Sequence, residues 1–250
     1  MAMTQEIRMT EAEYDEWCWT VEERTEFADG KVIFLSPEGI SDERLRGFLH
    51  LVLRLFLEQL HLGEVFGPNL QTRLPAGSRR VPDLLFVSKA RQADLERTYV
   101  RGGPDLAIEI VSEDSQKRDR IDKYAEYEGA GVREYWMVDA ELQHVDAYTM
   151  GPRGRYVPLP IEEGVLRSRV LPGFCLRTEW LWMAPSFPSA SAVMKEMGVV
   201  LDPELQEKLD RAEARAWQAE SKLAEEASVR KRLEAENESM REELRRQRGD

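Results

Sequence analysis

A carboxylate in the middle of an apolar strand is the feature that most constrains what this chain can fold into. Residues 106–110 read Leu-Ala-Ile-Glu-Ile shortly after a proline, and a short apolar run with such a boundary is typical of a buried β-strand. Glu109 lies inside that run, where an ionised carboxylate is costly unless a cation balances its charge. The balancing group could be a metal ion or a purely structural basic partner.

A second acidic residue opens another apolar run. Asp83 follows Pro82 and precedes Leu-Leu-Phe-Val at residues 84–87. Asp83 could simply be a turn residue that begins the strand. If the two strands are neighbours, however, the carboxylates of Asp83 and Glu109 repel each other unless a divalent cation or a basic side chain lies between them. The pair therefore predicts a site for a hard metal ion.

The segment between the Glu109 strand and the next apolar run, residues 134–139, supplies a basic residue. Residues 117–128 have a helical spacing of apolar side chains, and Gly129 ends the pattern. A strand, a helix and a second strand in this order predict a right-handed βαβ unit with parallel strands. Lys123 would then reach back to Glu109, although a lysine on so charged a helix could instead face solvent.

Together these residues resemble the Uma2-type restriction endonucleases of the PD-(D/E)XK nuclease superfamily. The resemblance runs from about Thr20 to about Trp182, and it is carried by Pro82, Asp83, Glu109, Ile110, Val111, Ser112, Asp119, Lys123 and the run 131–139. It implies an α/β, restriction-endonuclease-like fold with a mixed central sheet flanked by helices. It also implies magnesium-dependent cleavage of DNA phosphodiester bonds, with Mn²⁺ able to replace Mg²⁺.

The resemblance also implies roles for three residues. Asp83 and Glu109 would be catalytic residues that bind the metal ion, and Lys123 would be a catalytic residue that helps to position the attacking water. The superfamily usually places its lysine two residues after the Glu, where this chain has Val111, so the basic residue is expected on the helix. The alternative function is a catalytically inactive DNA-binding or scaffold protein, in which the acidic groups hold the fold.

Three further acidic residues are candidates for the same site. Glu26 begins a β-hairpin predicted over residues 26–35 with Asp29 and Gly30 as its turn, and it could equally be structural. Asp42 and Glu43 lie at the start of a core-facing helix predicted over residues 41–60, with Ser41 as its cap. These two acids could instead stabilise the helix dipole.

The distribution of charge bears on DNA as a partner. The formal net charge of -12 argues against indiscriminate nucleic-acid binding, because phosphate contacts need Lys and Arg. Much of the acidic excess lies in the first 45 residues, which hold 12 acidic and 4 basic residues. A locally basic cleft is still compatible with the sequence, since the basic residues near the predicted site in sequence are Arg79, Arg80, Arg91, Arg97, Arg101, Lys117, Arg118 and Arg120.

The chain is expected to be a soluble cytoplasmic protein. Its two cysteines, Cys18 and Cys175, are far apart in sequence and have no metal-binding spacing, which favours a reducing compartment and gives a zinc site no support. No apolar run has the length of a membrane span, and the first residues do not resemble a signal peptide.

Three parts are predicted along the chain. Residues 1–184 form the nuclease-like domain, residues 185–202 a hinge, and residues 203–250 a long helix. Apolar residues in the last part follow an approximate 3-4 repeat, and neither Gly nor Pro follows Pro203 until Gly249. This pattern favours a coiled coil that makes a homodimer or a higher homo-oligomer, while a single solvated helix is the alternative.

Overall fold

The computed structural model describes residues 6–37, 39–112, 114–212, 214–215 and 218. The chain divides into two units, residues 1–200 and residues 201–250. In the second unit residues 203–212 are helical, with ion pairs of i,i+4 spacing between Lys208 and Glu204 and between Arg211 and Glu207. Most of the predicted coiled coil lies outside the described residues, so that prediction stays open.

The first unit contains four α-helices and fourteen strands in its described residues. In chain order they are α1 (Glu11–Trp17), β1 (Thr25–Ala28), β2 (Lys31–Phe34), α2 (Ile40–Leu60), β3 (Gly63–Phe66), β4 (Gln71–Arg73), β5 (Arg79–Arg80), β6 (Leu84–Ser88), β7 (Tyr99–Arg101), β8 (Leu106–Ile110), α3 (Tyr124–Gly129), β9 (Glu134–Asp139), β10 (His144–Met150), β11 (Tyr156–Pro158), β12 (Ile161–Glu162), β13 (Val165–Arg167), β14 (Cys175–Arg177) and α4 (Ala190–Glu196). A π-helical turn, Arg118–Lys123, leads into α3, and 3₁₀ turns span Lys89–Asp94 and Thr178–Trp182.

A six-stranded mixed sheet, in the order β11-β10-β9-β8-β6-β3, forms the centre of the first unit. Strands β8 and β9 are parallel, with Glu109 opposite Met137, as the βαβ prediction requires. Strand β6 runs antiparallel to β8 and pairs Leu84 with Ile108. Because Asp83 directly precedes β6, this register brings it beside the end of β8. The mixed α/β fold that the resemblance implies is confirmed.

Apolar packing explains why β8 is so completely enclosed. All five of its residues are buried, and the Val111 that follows is 4% exposed. Val111 packs in one core cluster with Ala107, Tyr127 and Tyr135. In a strand, alternate residues share a face, so Glu109 lies between two side chains of this cluster. A charged group at this position must therefore find its partners inside the protein.

Helix α2 is held by its apolar stripe rather than by a cap. Leu49, Val52, Leu53 and Phe56 are all fully buried, and burying each such side chain is worth about 1.5–3 kcal/mol. The prediction of Ser41 as the cap is wrong. The capping position is occupied by Gly39, whose backbone is extended and which offers no side-chain hydrogen bond.

The first hairpin places Glu26 on the inner side of a second sheet. This five-stranded sheet has the order β2-β1-β5-β4-β7, and the predicted turn at Asp29 and Gly30 has positive φ at both residues. On one face of β1, Phe27 stacks on Tyr14 of α1 at 4.9 Å. Glu26 points to the opposite face, because neighbours in a strand alternate, and it is 0% exposed.

Part of the predicted hinge is structured. Helix α4 packs against α2, with Val193 and Met194 fully buried, and the ring of Phe187 stacks on Phe48 at 4.7 Å. The domain limits at residues 184 and 202 stay a prediction. Within the described residues, no helix combines the length and the apolar character that a bilayer crossing requires.

Candidate active site

Three buried carboxylates surround the ammonium group of Lys123. Its Nζ lies 2.9 Å from Glu109 Oε2, 3.0 Å from Glu26 Oε1 and 3.3 Å from Asp119 Oδ1. Lys123 and Glu109 are each 2% exposed. An ammonium group has three hydrogen-bond donors, and each has one carboxylate within reach. Lys123 therefore points inward to Glu109 rather than to solvent.

A π-helical turn directs these side chains inward. The sequence spacing predicts one regular helix over residues 117–128, but residues 118–123 form the wider turn, in which hydrogen bonds span five residues. Asp119 and Lys123 are buried in it, whereas Ile121, expected on the apolar face, is 59% exposed. The Tyr135 hydroxyl donates a hydrogen bond of 3.0 Å to the carbonyl oxygen of Asp119 and so binds the turn to β9.

Each carboxylate oxygen of Glu109 contacts one polar group. Lys123 contacts Oε2, and the Tyr127 hydroxyl donates a 3.0 Å hydrogen bond to Oε1. Burial raises the pKa of Glu109 well above its usual range; Lys123 opposes this shift, while the carboxylates of Asp119 and Asp83 add to it. The site thus holds more negative charge than its own basic groups balance.

Asp83 binds the backbone of the neighbouring strand. Its Oδ2 accepts a 2.7 Å hydrogen bond from the amide of Ile110, and its Oδ1 lies 3.8 Å from Arg46. This contact fixes the carboxylate one residue away from Glu109 along β8. Asp83 is therefore more than a turn residue, because its side chain joins the start of β6 to the end of β8.

One cleft of about 230 Å³ contains the three predicted site residues, Asp83, Glu109 and Lys123. Its other walls come from the loop between β2 and α2 and from the loop after β8. Among the described residues that line it, the charged ones are Asp42, Asp83, Glu109, Asp114, Asp119, Arg24, Arg118 and Lys123. Acidic side chains outnumber basic ones, so a locally basic cleft is not what the fold forms.

Several of the basic residues that lie near the predicted site in sequence form ion pairs with acidic side chains. Arg79 binds Glu11 and Asp15, and Arg120 binds Asp139 and Asp146. Other partners are Asp94 for Arg91 and Glu96 for Arg101. Of the eight basic residues noted in the sequence, Arg118 is the one that lines the cleft.

Glu26 joins the cluster, whereas Glu43 does not. Arg80 Nη1 lies 2.9 Å from Glu26 Oε2, and the Val81 amide donates a 3.0 Å hydrogen bond to Oε1. Burial raises the pKa of Glu26, but Lys123, Arg80 and the Val81 amide together lower it to about 2. Asp42 lines the cleft, while Glu43 pairs with Arg46 along α2.

The sequence did not identify Tyr127 as part of the cluster, and it identified Arg80 only as one of several basic residues near the site. Arg80 makes two contacts of 2.7 Å to the carboxylate of Glu126, besides its contact to Glu26. One signal was available for Glu26: it lies in an apolar strand in the same way as Glu109. No comparable pattern distinguished Arg80 from its neighbour Arg79.

The donor set bears on the metal ion that the resemblance implies. Among the described residues, no group of three or more Asp, Glu, His or Cys side chains is placed to hold a metal ion. Mg²⁺ commonly uses one or two carboxylates and completes its shell with water and substrate phosphate. The oxygen donors of Asp83 and Glu109, in a site with excess negative charge, fit that requirement, although they form no cage.

Comparisons with known proteins agree with this fold. A family model, Uma2, described as putative restriction endonuclease, matches residues 11–179. A search of curated proteins finds no match. The crystal structure of a putative nuclease of the family DUF820 from Anabaena variabilis is similar with a TM-score of 0.56 and 18% sequence identity, covering 70% of this chain and 97% of that chain. At this identity the likeness shows the fold alone. Because the family model matches well over half of its residues, this chain belongs to the Uma2 family of putative restriction endonucleases.

Proposed function

We propose that this protein is a metal-dependent endonuclease that hydrolyses phosphodiester bonds in DNA. The observation that carries the proposal is the meeting of Asp83, Glu109 and Lys123 in one cleft. They come from the start of β6, the middle of β8 and the end of a π-helical turn. Family membership supports nuclease chemistry, and the nearness of two carboxylates and a lysine supplies groups suited to it.

Asp83 and Glu109 would hold Mg²⁺ or Mn²⁺. When bound, the ion would supply positive charge to the phosphate and lower the pKa of a bound water. Burial, and after it the carboxylates of Asp119 and Asp83, raise the pKa of Glu109, and the positive charge of a bound ion would oppose that shift. In the reaction, a bond forms between the water oxygen and phosphorus, and the bond from phosphorus to the leaving sugar oxygen breaks.

Lys123 would act as a fixed positive charge rather than as a base. Burial lowers the pKa of Lys123, but Glu109, Glu26 and Asp119 outweigh that effect and raise it, so the ammonium stays protonated. The contact to Asp119 is the longest of the three, at 3.3 Å, and Asp119 lines the cleft. One N–H of Lys123 could therefore turn from Asp119 to a water in the cleft and stabilise the charge that develops there.

Because the cleft is acidic, DNA binding should depend on a divalent cation, as cleavage does. Lys and Arg contacts to phosphate supply most of the non-specific affinity for DNA, and Arg24, Arg118 and Lys123 are the basic side chains among the described residues that line the cleft. Acidic neighbours counter them. We therefore expect DNA to bind weakly until a metal ion offsets the carboxylates.

Cleavage assays on supercoiled and single-stranded DNA, with Mg²⁺ or Mn²⁺, test the proposal. Wild type should nick DNA only with metal, and Glu109→Ala and Lys123→Ala should each lose at least about 100-fold in rate, as removal of a charge-stabilising group does. Glu134→Gln is the matched control, since Glu134 is an equally buried strand carboxylate whose partners are Trp136 and the amides of Arg169 and Val170. It should keep the wild-type rate when measured at a temperature where it is folded.

A second function is favoured by one observation. Lys123 and Tyr127 already give Glu109 a hydrogen-bond partner on each oxygen, as a structural ion pair would. An inactive DNA-binding or scaffold protein is the alternative that follows. Absence of cleavage by wild type, together with a melting temperature of Glu109→Ala well below that of wild type, would support it over the nuclease.

Self-association through residues 203–250 is a separate proposal. It is supported by the 3-4 spacing of apolar residues such as Leu209, Leu223 and Leu244. Sedimentation equilibrium of the full chain tests it. A monomeric mass across the concentration range would refute it and would leave the nuclease proposal unaffected.

A further inference from the structure

A closed ring of contacts includes Lys123 and Glu109 of the candidate site. Its members are joined by contacts of 2.7–3.0 Å, in the order Glu126, Arg80, Glu26, Lys123, Glu109 and Tyr127. Glu126 and Tyr127 are consecutive residues of α3, so the ring closes on itself. Strands β1 and β5 of the five-stranded sheet contribute Glu26 and Arg80, and β8 of the six-stranded sheet contributes Glu109.

From this geometry we infer that Glu26, held by Arg80, is a positioning residue that fixes the ammonium of Lys123 against Glu109. The inference rests on the proposed function, in which Lys123 acts on the cleavage reaction. Lysine carries its charge on a flexible four-carbon stem, so its place depends on what its ammonium contacts. Glu26 provides a contact of 3.0 Å and does not itself line the cleft.

Glu26 is itself immobilised from three directions. Its Oε2 accepts from Arg80 at 2.9 Å, and its Oε1 accepts from the Val81 amide at 3.0 Å as well as contacting Lys123. Val81 is two residues before Asp83. The same carboxylate therefore fixes Lys123 and the backbone that leads to Asp83, so it sets the distance between two groups of the proposed site.

Contact with substrate or metal is not the role of Glu26. It is 0% exposed and is not among the residues that line the cleft, and both of its oxygens already have partners. Its effect on the reaction passes through the groups that it holds, first Lys123 and then the Val81 backbone that leads to Asp83. Asp119 differs, because it contacts Lys123 and also lines the cleft.

Stability alone is a poor reason for this arrangement. Removing several ionised side chains from water costs free energy that their mutual attraction barely offsets. Apolar residues of similar size often give a folded state of equal or greater stability. Here the cost is incurred for Arg80, Glu26, Lys123 and Glu109 together, each at most 2% exposed. Accurate placement of one ammonium group is what such a costly ring provides.

The test compares Glu26→Gln with Glu134→Gln, two substitutions of equal chemistry at fully buried strand carboxylates. Groups that orient site residues typically contribute about 10–100-fold to activity, so Glu26→Gln should lower kcat by that factor. KM for DNA and the Kd for Mn²⁺, measured by calorimetry, should stay within about twofold of wild type, because Glu26 does not line the cleft in which both would bind. Glu134→Gln should change the melting temperature and leave all three values unchanged.

Each outcome decides the inference. A kcat of Glu26→Gln equal to that of wild type overturns it while the nuclease proposal stands, and a large loss of Mn²⁺ affinity would make Glu26 a metal ligand instead. Wild type that cleaves no DNA overturns the proposed function first and the inference with it. If Glu26→Gln does not fold, Arg80→Lys removes the guanidinium that joins Glu26 to Glu126 and should show the same loss confined to kcat.

A readout on Lys123 itself separates placement from general damage. In ¹⁵N-labelled protein, hydrogen exchange of the Lys123 ammonium should be at least tenfold faster in Glu26→Gln than in wild type, because one of the three carboxylates that surround the ammonium loses its charge. Exchange in Glu134→Gln should match wild type. An unchanged exchange rate in Glu26→Gln would show that Glu26 does not hold the ammonium, and it would overturn the inference without any activity measurement.

Discussion

Replacing Glu26 by glutamine should destabilise the protein in a way that depends on pH. The pKa of this carboxyl is lowered from 4.5 to about 2 by Lys123, Arg80 and the Val81 amide. At about 1.4 kcal/mol per pKa unit, the shift corresponds to roughly 3 kcal/mol at pH 7. Since Glu26 is fully buried, solvent does not screen the interaction. Removing one member of a buried ion pair typically costs about 3–5 kcal/mol, which agrees in size.

The direction of the Glu26 pKa shift determines how stability depends on pH. A carboxyl whose pKa falls on folding stabilises the folded state fully above its unfolded pKa, and it loses that contribution as pH falls toward the folded value. The difference in unfolding free energy between wild type and Glu26→Gln should therefore be largest at pH 7 and should shrink between pH 4.5 and about 2. Urea unfolding at pH 7, 5, 4 and 3 measures it.

Glu134→Gln provides the opposite trend as a control. Burial raises the pKa of Glu134, against the effect of the Arg169 and Val170 amides, so its charge is unfavourable in the folded state. Wild type should gain stability relative to Glu134→Gln as pH falls toward 4.5. A pH-independent loss for Glu26→Gln, or equal trends for the two variants, would refute the reasoning about Glu26.

Three further predictions concern the site and its scaffold. Tyr127→Phe removes the hydrogen bond to Glu109 and should lower the unfolding free energy by about 1 kcal/mol and kcat several-fold. Tyr14→Phe, which loses a buried hydroxyl bonded to the Thr25 carbonyl, should lower the unfolding free energy by a similar amount without a change in kcat. Equal kcat values for the two variants would contradict a role for Tyr127. Gly47→Ala in α2 should stabilise the protein by about 0.5–1 kcal/mol, because the added methyl group has open space around it. Gly63→Ala should lower the melting temperature, because φ at Gly63 is +151° and the added carbon would lie 2.2 Å from the Val87 carbonyl oxygen. Similar shifts in melting temperature for both variants would be inconsistent with this backbone. Fluorescence anisotropy of the Lys123→Ala variant should show at least about tenfold weaker DNA binding in EDTA than in Mg²⁺, because the acidic cleft offers few phosphate contacts, and metal-independent affinity would refute that expectation.

Local patterns in the sequence predicted the elements that carry the site. The βαβ unit around Glu109, the hairpin at Asp29 and Gly30, and the helix over residues 41–60 each follow from periodicity or from turn residues that act within a few positions. Placing the lysine candidate at Lys123 needed the family resemblance, since its helix is charged on most sides. The catalytic roles of Asp83, Glu109 and Lys123 stay predictions.

Contacts between distant parts of the chain could not be predicted in the same way. Arg80 meets Glu126 across 46 residues and Glu26 across 54, and those meetings depend on how two sheets and a helix pack. The distribution of charge along the sequence was compatible with a locally basic cleft, but charge counts do not reveal which arginines are paired. The π-helical turn shifts Ile121 off the apolar face that regular helical spacing predicts for it.

Because the lysine lies on the helical turn, β8 does not have to be followed by a lysine at position 111, which is buried in the core. A lysine two residues after Glu109 would share the face of Glu109, where Val111 instead fills the core beside Tyr127. Exchanging Val111 for lysine would therefore bury a second ammonium without a partner of its own. The two locations are not interchangeable in this scaffold, so any redesign of the proposed site lysine must start from the helical turn and keep position 111 apolar.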